Sequence, residues 1–342
     1  MGSAVTTAGR LRLLEVAFEH GITHFDTAPL YGMGLAEEVL GRFCRGKRDA
    51  ITITTKFGLL PRRIPLPLRP LLPIARLARR GLGRFKPAPR PGAGYGGALR
   101  FETAQPTVVA GTAPEDAPVS LTPAPVVTPA SSLALPATAE NLRQQLHASL
   151  RKLQSDHVDF YLLHDCGPGD LSDSAIAALE SLVREGKIRR WGVATGRWGS
   201  RQILEARPGF QGVVQIPDHL LRQDTVWFVE QALPPLFSHS VLRQGLADST
   251  SSEPILGRLL QRWASHTGRS AMDPVVFSEI LLLGALANNP EGCVIFSSGR
   301  AERIRANTEV LRRWAAEIPT LNGMLAEAIQ ASAARADDVP GC

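Results

Sequence analysis

Short apolar segments alternate with helical segments along most of this chain, and that alternation restricts the folds open to it. Strands are predicted at residues 22–26, 50–55, 158–163, 188–194, 212–216, 236–241 and 293–296. Helices are predicted at 8–20, 35–45, 139–153 with Thr138 as N-cap, 172–185, 199–206, 222–231, 274–288 and 301–315. Such an order forms a parallel sheet, either open and doubly wound or closed into a barrel of eight strands.

A glycine motif helps to decide between these two sheets. An open sheet predicts a Gly-rich phosphate loop after an early strand. The G-x-G-x-x-G match at Gly92, Gly94 and Gly97 instead lies inside a Pro-rich stretch, with no strand leading into it. We therefore expect an α/β chain with the (β/α)8 TIM barrel fold, in which seven strands are recognisable and the first is missing.

The domain organisation follows from where the alternation stops. Residues 1–342 are predicted to form one barrel domain, interrupted at 59–137 by a low-complexity insertion rich in Pro, Ala and Arg. The insertion is expected to be a mobile surface loop. The alternatives are a lid over the active site, or a basic segment that contacts anionic lipid or the cofactor phosphates. Residues 316–342 are predicted to be a C-terminal helix and tail.

Charge and composition exclude several functional classes. The net charge of +6 comes from residues 59–100, which hold ten Arg or Lys and no Asp or Glu, so the remainder carries −4. That distribution argues against a nucleic-acid-binding face. No apolar run has the length of a membrane span and no secretion signal opens the chain, so a cytoplasmic location is expected. Cys44, Cys166, Cys293 and Cys342 form no C-x-x-C pair, and no metal site is expected.

Four polar side chains follow the ends of successive predicted strands. Asp26 and Tyr31 come after the first strand, Lys56 after the second, and His164 after the third. The strand ends of a barrel converge on one mouth, so these groups are expected to meet there. Taken singly, each has a structural explanation: an ion pair, a turn aromatic or a capped strand end. Their common placement favours a catalytic site.

The segments that carry these residues, GITHFDTAPLYG, TITTKFG and DHVDFYLLH, resemble those of the aldo-keto reductase family. The resemblance covers about residues 8–58 and 138–315, and the pattern is closest to bacterial, sugar-dehydrogenase-like members. The resemblance implies that Tyr31 donates a proton to a carbonyl and that Lys56 lowers the pKa of Tyr31. It also implies that Asp26 pairs with Lys56 and that His164 orients the carbonyl oxygen.

A second segment, CVIFSSGRAERIRANTEV, resembles the part of this family that binds the adenosine phosphate of NADPH. The resemblance implies an anion site at the amides of Ser298 and Gly299, with Arg300 against a 2′-phosphate. Arg303 and Asn307 are implied to contact adenine. NADPH is therefore the expected cofactor, with NAD as the alternative.

Weaker matches lie along the expected cofactor groove. Gln215 falls where the family holds the nicotinamide amide, and Ser240, Leu242 and Gly245 fall where it holds the pyrophosphate. Ala194 and Thr195 stand where family members usually carry Ser-Asn, with Thr195 as a partial substitute. Family members also begin with a strand and a Gly-containing turn, whereas this chain opens on a helix, so we expect the sequence to be truncated at a misplaced start.

The expected function is an NADPH-dependent oxidoreductase that reduces, or reversibly oxidises, the carbonyl of an aldehyde, ketone or sugar. The expected partner is a small molecule, without nucleic acid or a membrane span. Two alternatives remain open. One is a cofactor-binding regulatory or interaction protein with little turnover, and the other is a non-functional truncated fragment.

Overall fold

The computed structural model describes residues 6–61, 132–220, 224–231, 236–242 and 253–337. The chain divides into two compact units, one of residues 1–61 and 135–342 and the other of residues 62–134. The described part of the second unit is the strand β4 (Ser132–Ala134). The predicted insertion 59–137 and the glycine motif at Gly92 lie largely or wholly outside the described residues. The account below concerns the first unit.

The described strands of the first unit are parallel and form one sheet, apart from a short strand β3 (Leu59–Pro61). Its members, in spatial order, are β1 (His24–Asp26), β2 (Thr52–Phe57), β5 (Val158–His164), β6 (Ile188–Ala194), β7 (Val213–Pro217), β8 (Leu236–His239) and β9 (Cys293–Ile295). These are the seven strands that the sequence predicts, with ends that differ by a few residues.

Helices connect these strands and cover the outside of the sheet. They are α1 (Thr7–Glu19), α2 (Ala36–Cys44), α3 (Ala139–Leu153), α4 (Asp173–Arg184), α5 (Arg197–Ala206), α6 (Asp224–Glu230), α7 (Glu253–His266), α8 (Pro274–Ala287), α9 (Ala301–Trp314) and α10 (Ile318–Asp337). The predicted N-cap is confirmed, because Thr138 Oγ1 accepts a hydrogen bond from Asn141 N at 3.2 Å. None of the described helices is long and apolar enough to cross a membrane.

Contacts across the sheet show that it curls into a nearly closed barrel, which confirms the predicted α/β barrel class. The His24 ring on β1 lies 5.0 Å from the Phe237 ring on β8, although four strands lie between β1 and β8 in the sheet. Phe160 on β5 lies 4.9 Å from Phe237. These rings fill the barrel interior. Among the described residues no strand pairs with the outer edge of β1 or β9, and α1 packs against α9 near those two edges.

Besides the cluster around Phe160 and Phe237, two larger apolar clusters among the described residues stabilise the unit. The larger lies between the barrel and the helices around it, and includes Leu40, Leu146, Leu179 and Ile203, which are fully buried. The second lies among α7, α8, α9 and α10 and centres on Trp263, whose Nε1 donates to Glu279. Burial of apolar surface at both clusters is the main term that stabilises the barrel.

A buried carboxylate ties the amino-terminal ends of three strands together. Asp159 on β5 accepts hydrogen bonds from Ile53 N on β2 at 2.8 Å and from Arg48 Nη2 at 2.8 Å. Arg189 at the start of β6 approaches it at 3.2 Å. Asp159 is 2% exposed, so each of these partners replaces water that the carboxylate has lost.

We expect Asp159→Ala to lower the free energy of unfolding by about 3 kcal/mol, because it leaves Arg48 and the Ile53 amide without their buried acceptor. Urea unfolding followed by circular dichroism measures the change. Glu309→Ala is the control, since it removes a solvent-exposed ion pair with Arg312 on α9 and should cost less than about 0.5 kcal/mol. Equal losses in the two variants would contradict this account.

Candidate active site

The four side chains that the sequence predicts to be catalytic meet at the carboxyl ends of the strands. Asp26 ends β1 and His164 ends β5, while Tyr31 begins a 3₁₀ turn that follows β1. Lys56 lies inside β2, which runs to Phe57, so the prediction that it follows its strand is wrong by two residues. The strand is shifted by two residues, and the Lys56 side chain reaches Asp26 at the barrel mouth.

A buried ion pair forms the centre of the site. Lys56 Nζ lies 2.5 and 2.6 Å from the two carboxylate oxygens of Asp26, and the side chains are 2% and 9% exposed. Lys56 Nζ also donates to the Thr27 carbonyl at 3.3 Å. Burial acts to lower the pKa of Lys56, but Asp26 and Tyr31 together outweigh it and the pKa is raised. The ammonium is therefore charged at neutral pH.

Tyr31 lies directly against this ammonium. Lys56 Nζ is 4.8 Å from the centroid of the Tyr31 ring. The turn that holds Tyr31 continues with positive φ angles of 61° at Gly32 and 85° at Gly34, values that glycine adopts without strain. Burial raises the pKa of Tyr31, and Lys56 only partly opposes it. Lys56 thus acts in the expected direction, but burial outweighs it, so the phenol carries its proton.

His164 lies on the other side of Tyr31. The two ring centroids are 5.9 Å apart with the rings nearly perpendicular. Burial, helped by the charge of Lys56, lowers the pKa of His164 to about 3. Its Nδ1 is buried and has no hydrogen-bond partner among the described residues. His164 is thus neutral at physiological pH and can offer a hydrogen bond rather than a charge.

Gln215 belongs to the same cluster, although the sequence places it with the cofactor residues. It lies in β7, is 1% exposed, and donates from Nε2 to Asp26 Oδ1 at 3.1 Å. Its amide nitrogen therefore supports the ion pair. In this arrangement Gln215 stands beside the four predicted catalytic groups.

Three of the remaining groove residues lie in the part of the chain that the structure describes. Thr195 follows β6 and is half-buried. Ser240 follows β8 with a positive φ of 65°, and its hydroxyl lies 2.9 Å from Nδ1 of His239. Leu242 packs against the second apolar cluster. Gly245 lies outside the described residues.

The segment before α9 has features that suit a phosphate. Ser298 Oγ accepts from Arg300 N at 3.2 Å and donates to the Arg300 carbonyl at 3.0 Å, which fixes a tight bend around Gly299. No side chain caps the amino terminus of α9. Arg300 and Arg303 are exposed, while Asn307 is buried. An uncapped helix terminus with exposed guanidinium groups is an arrangement that binds anions.

The sequence analysis missed one titratable group at the mouth. Asp165 directly follows His164 and has a positive φ of 50°. Burial raises the pKa of its carboxyl to about 6, with Lys56 acting in the opposite direction. The signal was available, because Asp165 is a polar residue two positions after the predicted strand 158–163. Among the described residues, no three side chains are grouped to bind a metal ion.

Comparison with known proteins identifies a family. The model for the aldo/keto reductase family matches residues 2–73 and 127–226, half of the chain. Methylglyoxal reductase YeaE of Escherichia coli K12 is 36% identical over 103 residues, covering 28% of this chain and 36% of that protein. D-threo-aldose 1-dehydrogenase of a Pseudomonas species is 48% identical over 54 residues, or 16% of each chain. A 6-dehydroglucose reductase of Agrobacterium fabrum is 26% identical over 216 residues, covering 62% of this chain and 52% of that protein. The matches thus span about half or less of these relatives' lengths.

Solved structures share the fold. The holo form of aldo-keto reductase AKR11C1 from Bacillus halodurans has a TM-score of 0.57 at 18% identity, covering 94% of this chain and 89% of that chain. An aldo-keto reductase from Klebsiella pneumoniae in complex with NADPH has a TM-score of 0.56 at 20% identity, covering 95% of this chain and 87% of that chain.

We expect Asp165→Asn to stabilise the protein above pH 6 and to leave it unchanged near pH 3.5. The unfolded carboxyl ionises at its ordinary pKa of 3.8 and the folded one at about 6. Wild-type stability therefore falls as the pH rises between these values, and the loss, about 1–3 kcal/mol, persists above them. Urea unfolding at pH 3.5, 5 and 7 measures the difference. A gain that is equal at every pH would assign the effect to packing instead.

Proposed function

Because this chain belongs to the aldo/keto reductase family, we propose that it is an NADPH-dependent oxidoreductase. It reduces, or reversibly oxidises, the carbonyl group of an aldehyde, ketone or sugar. The observation that carries the proposal is the buried Lys56–Asp26 pair with the protonated Tyr31 and the neutral His164 beside it. This arrangement supplies one acid and one neutral hydrogen-bonding group to a single oxygen atom.

Tyr31 is the proton donor in this proposal. Burial keeps its proton on the phenol until the substrate oxygen becomes basic, as it does when negative charge develops on it. The phenolate left after the transfer is stabilised by the Lys56 ammonium, which lies 4.8 Å from the ring centroid. In the oxidative direction the same phenolate accepts the proton of the alcohol.

Asp26 and His164 position the charges. Asp26 keeps Lys56 protonated in a buried place, and Gln215 holds the Asp26 carboxylate from the other side. His164, being neutral, can donate a hydrogen bond to the carbonyl oxygen without adding a second cation beside Lys56. Preorganised donors of this kind stabilise negative charge that develops on an oxygen.

NADPH supplies the hydride when it is bound. The uncapped α9 terminus, Ser298 and Gly299 would hold its adenosine phosphate, and the Arg300 guanidinium would pair with the 2′-phosphate. Arg303 and Asn307 would contact adenine, with Thr195, Ser240, Leu242 and Gly245 along the rest of the groove. NAD is the alternative cofactor if Arg300 does not reach a phosphate.

The relatives support small carbonyl compounds as substrates. Their names include a methylglyoxal reductase, an aldose dehydrogenase and a 6-dehydroglucose reductase. We propose a substrate in the same range, a small aldehyde, ketone or sugar, for the whole chain acting as one barrel domain.

We expect Tyr31→Phe to lower kcat by about 10²–10⁴-fold and to leave NADPH binding within about threefold, because it removes the proton donor and little else. Carbonyl reduction followed at 340 nm gives the rate, and quenching of intrinsic fluorescence gives the binding. Tyr161→Phe is the matched control, since the Tyr161 hydroxyl donates to the Leu142 carbonyl away from the mouth. Binding without turnover in the unmutated protein would favour a regulatory function.

We expect Arg300→Ala to weaken NADPH binding by roughly 10-fold and to leave NADH binding nearly unchanged, because only NADPH carries the 2′-phosphate. Arg305→Ala on the exposed side of the same helix is the control. Fluorescence titrations with both nucleotides test this. If both affinities fell together in Arg300→Ala, the arginine would support the helix and not the phosphate.

A further inference from the structure

The carboxyl end of β2 extends beyond its neighbour β1. The pairing of the two strands ends with Asp26 opposite Thr54, after which Thr27 N donates to the Thr54 carbonyl at 2.8 Å. Lys56 comes two residues later in β2. On the other side β5 continues, with Leu162 opposite Lys56. Lys56 therefore lies where β5 alone, among the described strands, flanks β2.

The backbone groups on the open side of β2 can be identified from the alternation of the strand. In a parallel sheet every second residue directs its peptide groups to the same neighbour. Thr52 N and the Thr54 carbonyl both bond toward β1, so the carbonyl of Lys56 and the amide of Gly58 face the side that β1 has left. Buried backbone groups require hydrogen-bond partners. This end of β2 therefore needs a substitute for the absent strand.

The side-chain amide of Gln145 on α3 is that substitute. Its Nε2 donates to the Lys56 carbonyl at 3.1 Å, and its Oε1 accepts from Gly58 N at 3.3 Å. A residue of a parallel strand opposite Phe57 would make the same two bonds with its backbone. Gln145 is 5% exposed, so water competes little for these bonds. The amide thus holds the backbone on both sides of Phe57.

Gly58 is fixed through its carbonyl as well. That carbonyl accepts a hydrogen bond from Leu135 N at 2.8 Å, and the φ of Gly58 is 112°, a value that glycine adopts without strain. The chain leaves the first unit after residue 61 and re-enters it at Leu135. Gln145 therefore fixes the short segment between Lys56 and the point where the chain leaves the barrel.

We propose that Gln145 is a positioning residue for Lys56. Its amide fixes the Lys56 backbone and so keeps the ammonium against Asp26 and the Tyr31 ring. This inference rests on the proposed function, in which that ammonium stabilises the Tyr31 phenolate. The attraction between the two charges weakens as their separation grows, so a small displacement of the Lys56 backbone reduces the stabilisation.

Gln145→Met tests the inference, because methionine keeps the length of the side chain and removes both hydrogen bonds. We expect kcat for carbonyl reduction to fall by about 10-fold, with KM and NADPH binding changed by less than about threefold. Alcohol oxidation should accelerate with pH as Tyr31 loses its proton. Lys56 acts to lower the pKa of Tyr31, so a displaced ammonium raises that pKa and moves the oxidation profile to higher pH.

Two control variants separate positioning from a general loss of stability. Gln144→Met changes the adjacent exposed glutamine, whose Nε2 donates to Glu140 on the same helix, and should alter neither the rate nor the pH profile. Asp159→Ala removes the acceptor of Ile53 N in the first half of β2. It should lower stability and leave the pH profile in place.

Hydrogen exchange of the Gly58 amide, followed by NMR, tests the contact without requiring turnover. We expect this amide to exchange at least about 10-fold faster in Gln145→Met than in the unmutated protein, because its acceptor is gone. If Gln145→Met does not fold, Gln145→Asn replaces it. Asparagine is one methylene too short to reach both backbone groups, and the same changes are expected to a smaller degree.

The outcomes separate the two proposals. Faster exchange at Gly58 with an unchanged rate and pH profile would mean that Gln145 only stabilises the fold. An equal shift of the profile in Asp159→Ala would mean that any loosening of β2 is sufficient. Either result, or unchanged exchange at Gly58, overturns the inference and leaves the proposed function intact. An unmutated protein that turns over no carbonyl compound or alcohol would overturn the proposed function and the inference with it.

Discussion

The ion pair of Lys56 with Asp26 is the interaction on which the rest of the site depends. Two opposite charges, 2% and 9% exposed, lie within 2.6 Å of each other on neighbouring strands, so neither can be removed without leaving the other buried and uncompensated. The pair connects β1 to β2 at the mouth of the barrel. Gln215 on β7 reaches the same carboxylate at 3.1 Å, and the Tyr31 ring lies against the ammonium. Three strands and one turn are thereby aligned around a single charge centre.

Around this pair, burial favours the uncharged forms of the other titratable groups. It raises the pKa of Tyr31, lowers that of His164 to about 3 and raises that of Asp165 to about 6. A phenol that keeps its proton and an imidazole without charge are suited to an uncharged carbonyl group. Asp165 is held at a cost in stability, through both its left-handed backbone and its desolvated carboxyl.

Much of the architecture could be predicted because periodicity is a local property. All seven sheet strands and the helix starting after Thr138 follow from runs of apolar residues and a capping side chain. Helix α7 was missed, although Leu256, Leu259 and Trp263 have helical spacing and are buried. The end of β2 was placed before Lys56, because a lysine in a buried strand contradicts the usual pattern unless its partner is known. That partner, Asp26, is thirty residues away in sequence.

The sequence by itself determined the alternation of strands and helices and the resemblance to a family. It also determined the order Asp26, Tyr31, Lys56, His164. Each of these features is recognised from short segments of neighbouring residues. Only the tertiary structure decided how these groups behave. Burial outweighs the effect of Lys56 on the pKa of Tyr31, and Gln215 supports the ion pair. Asp165 is a strained residue at the mouth. All three features depend on distances between separate strands. Desolvation and electrostatic attraction act through space, so a linear pattern cannot specify their balance.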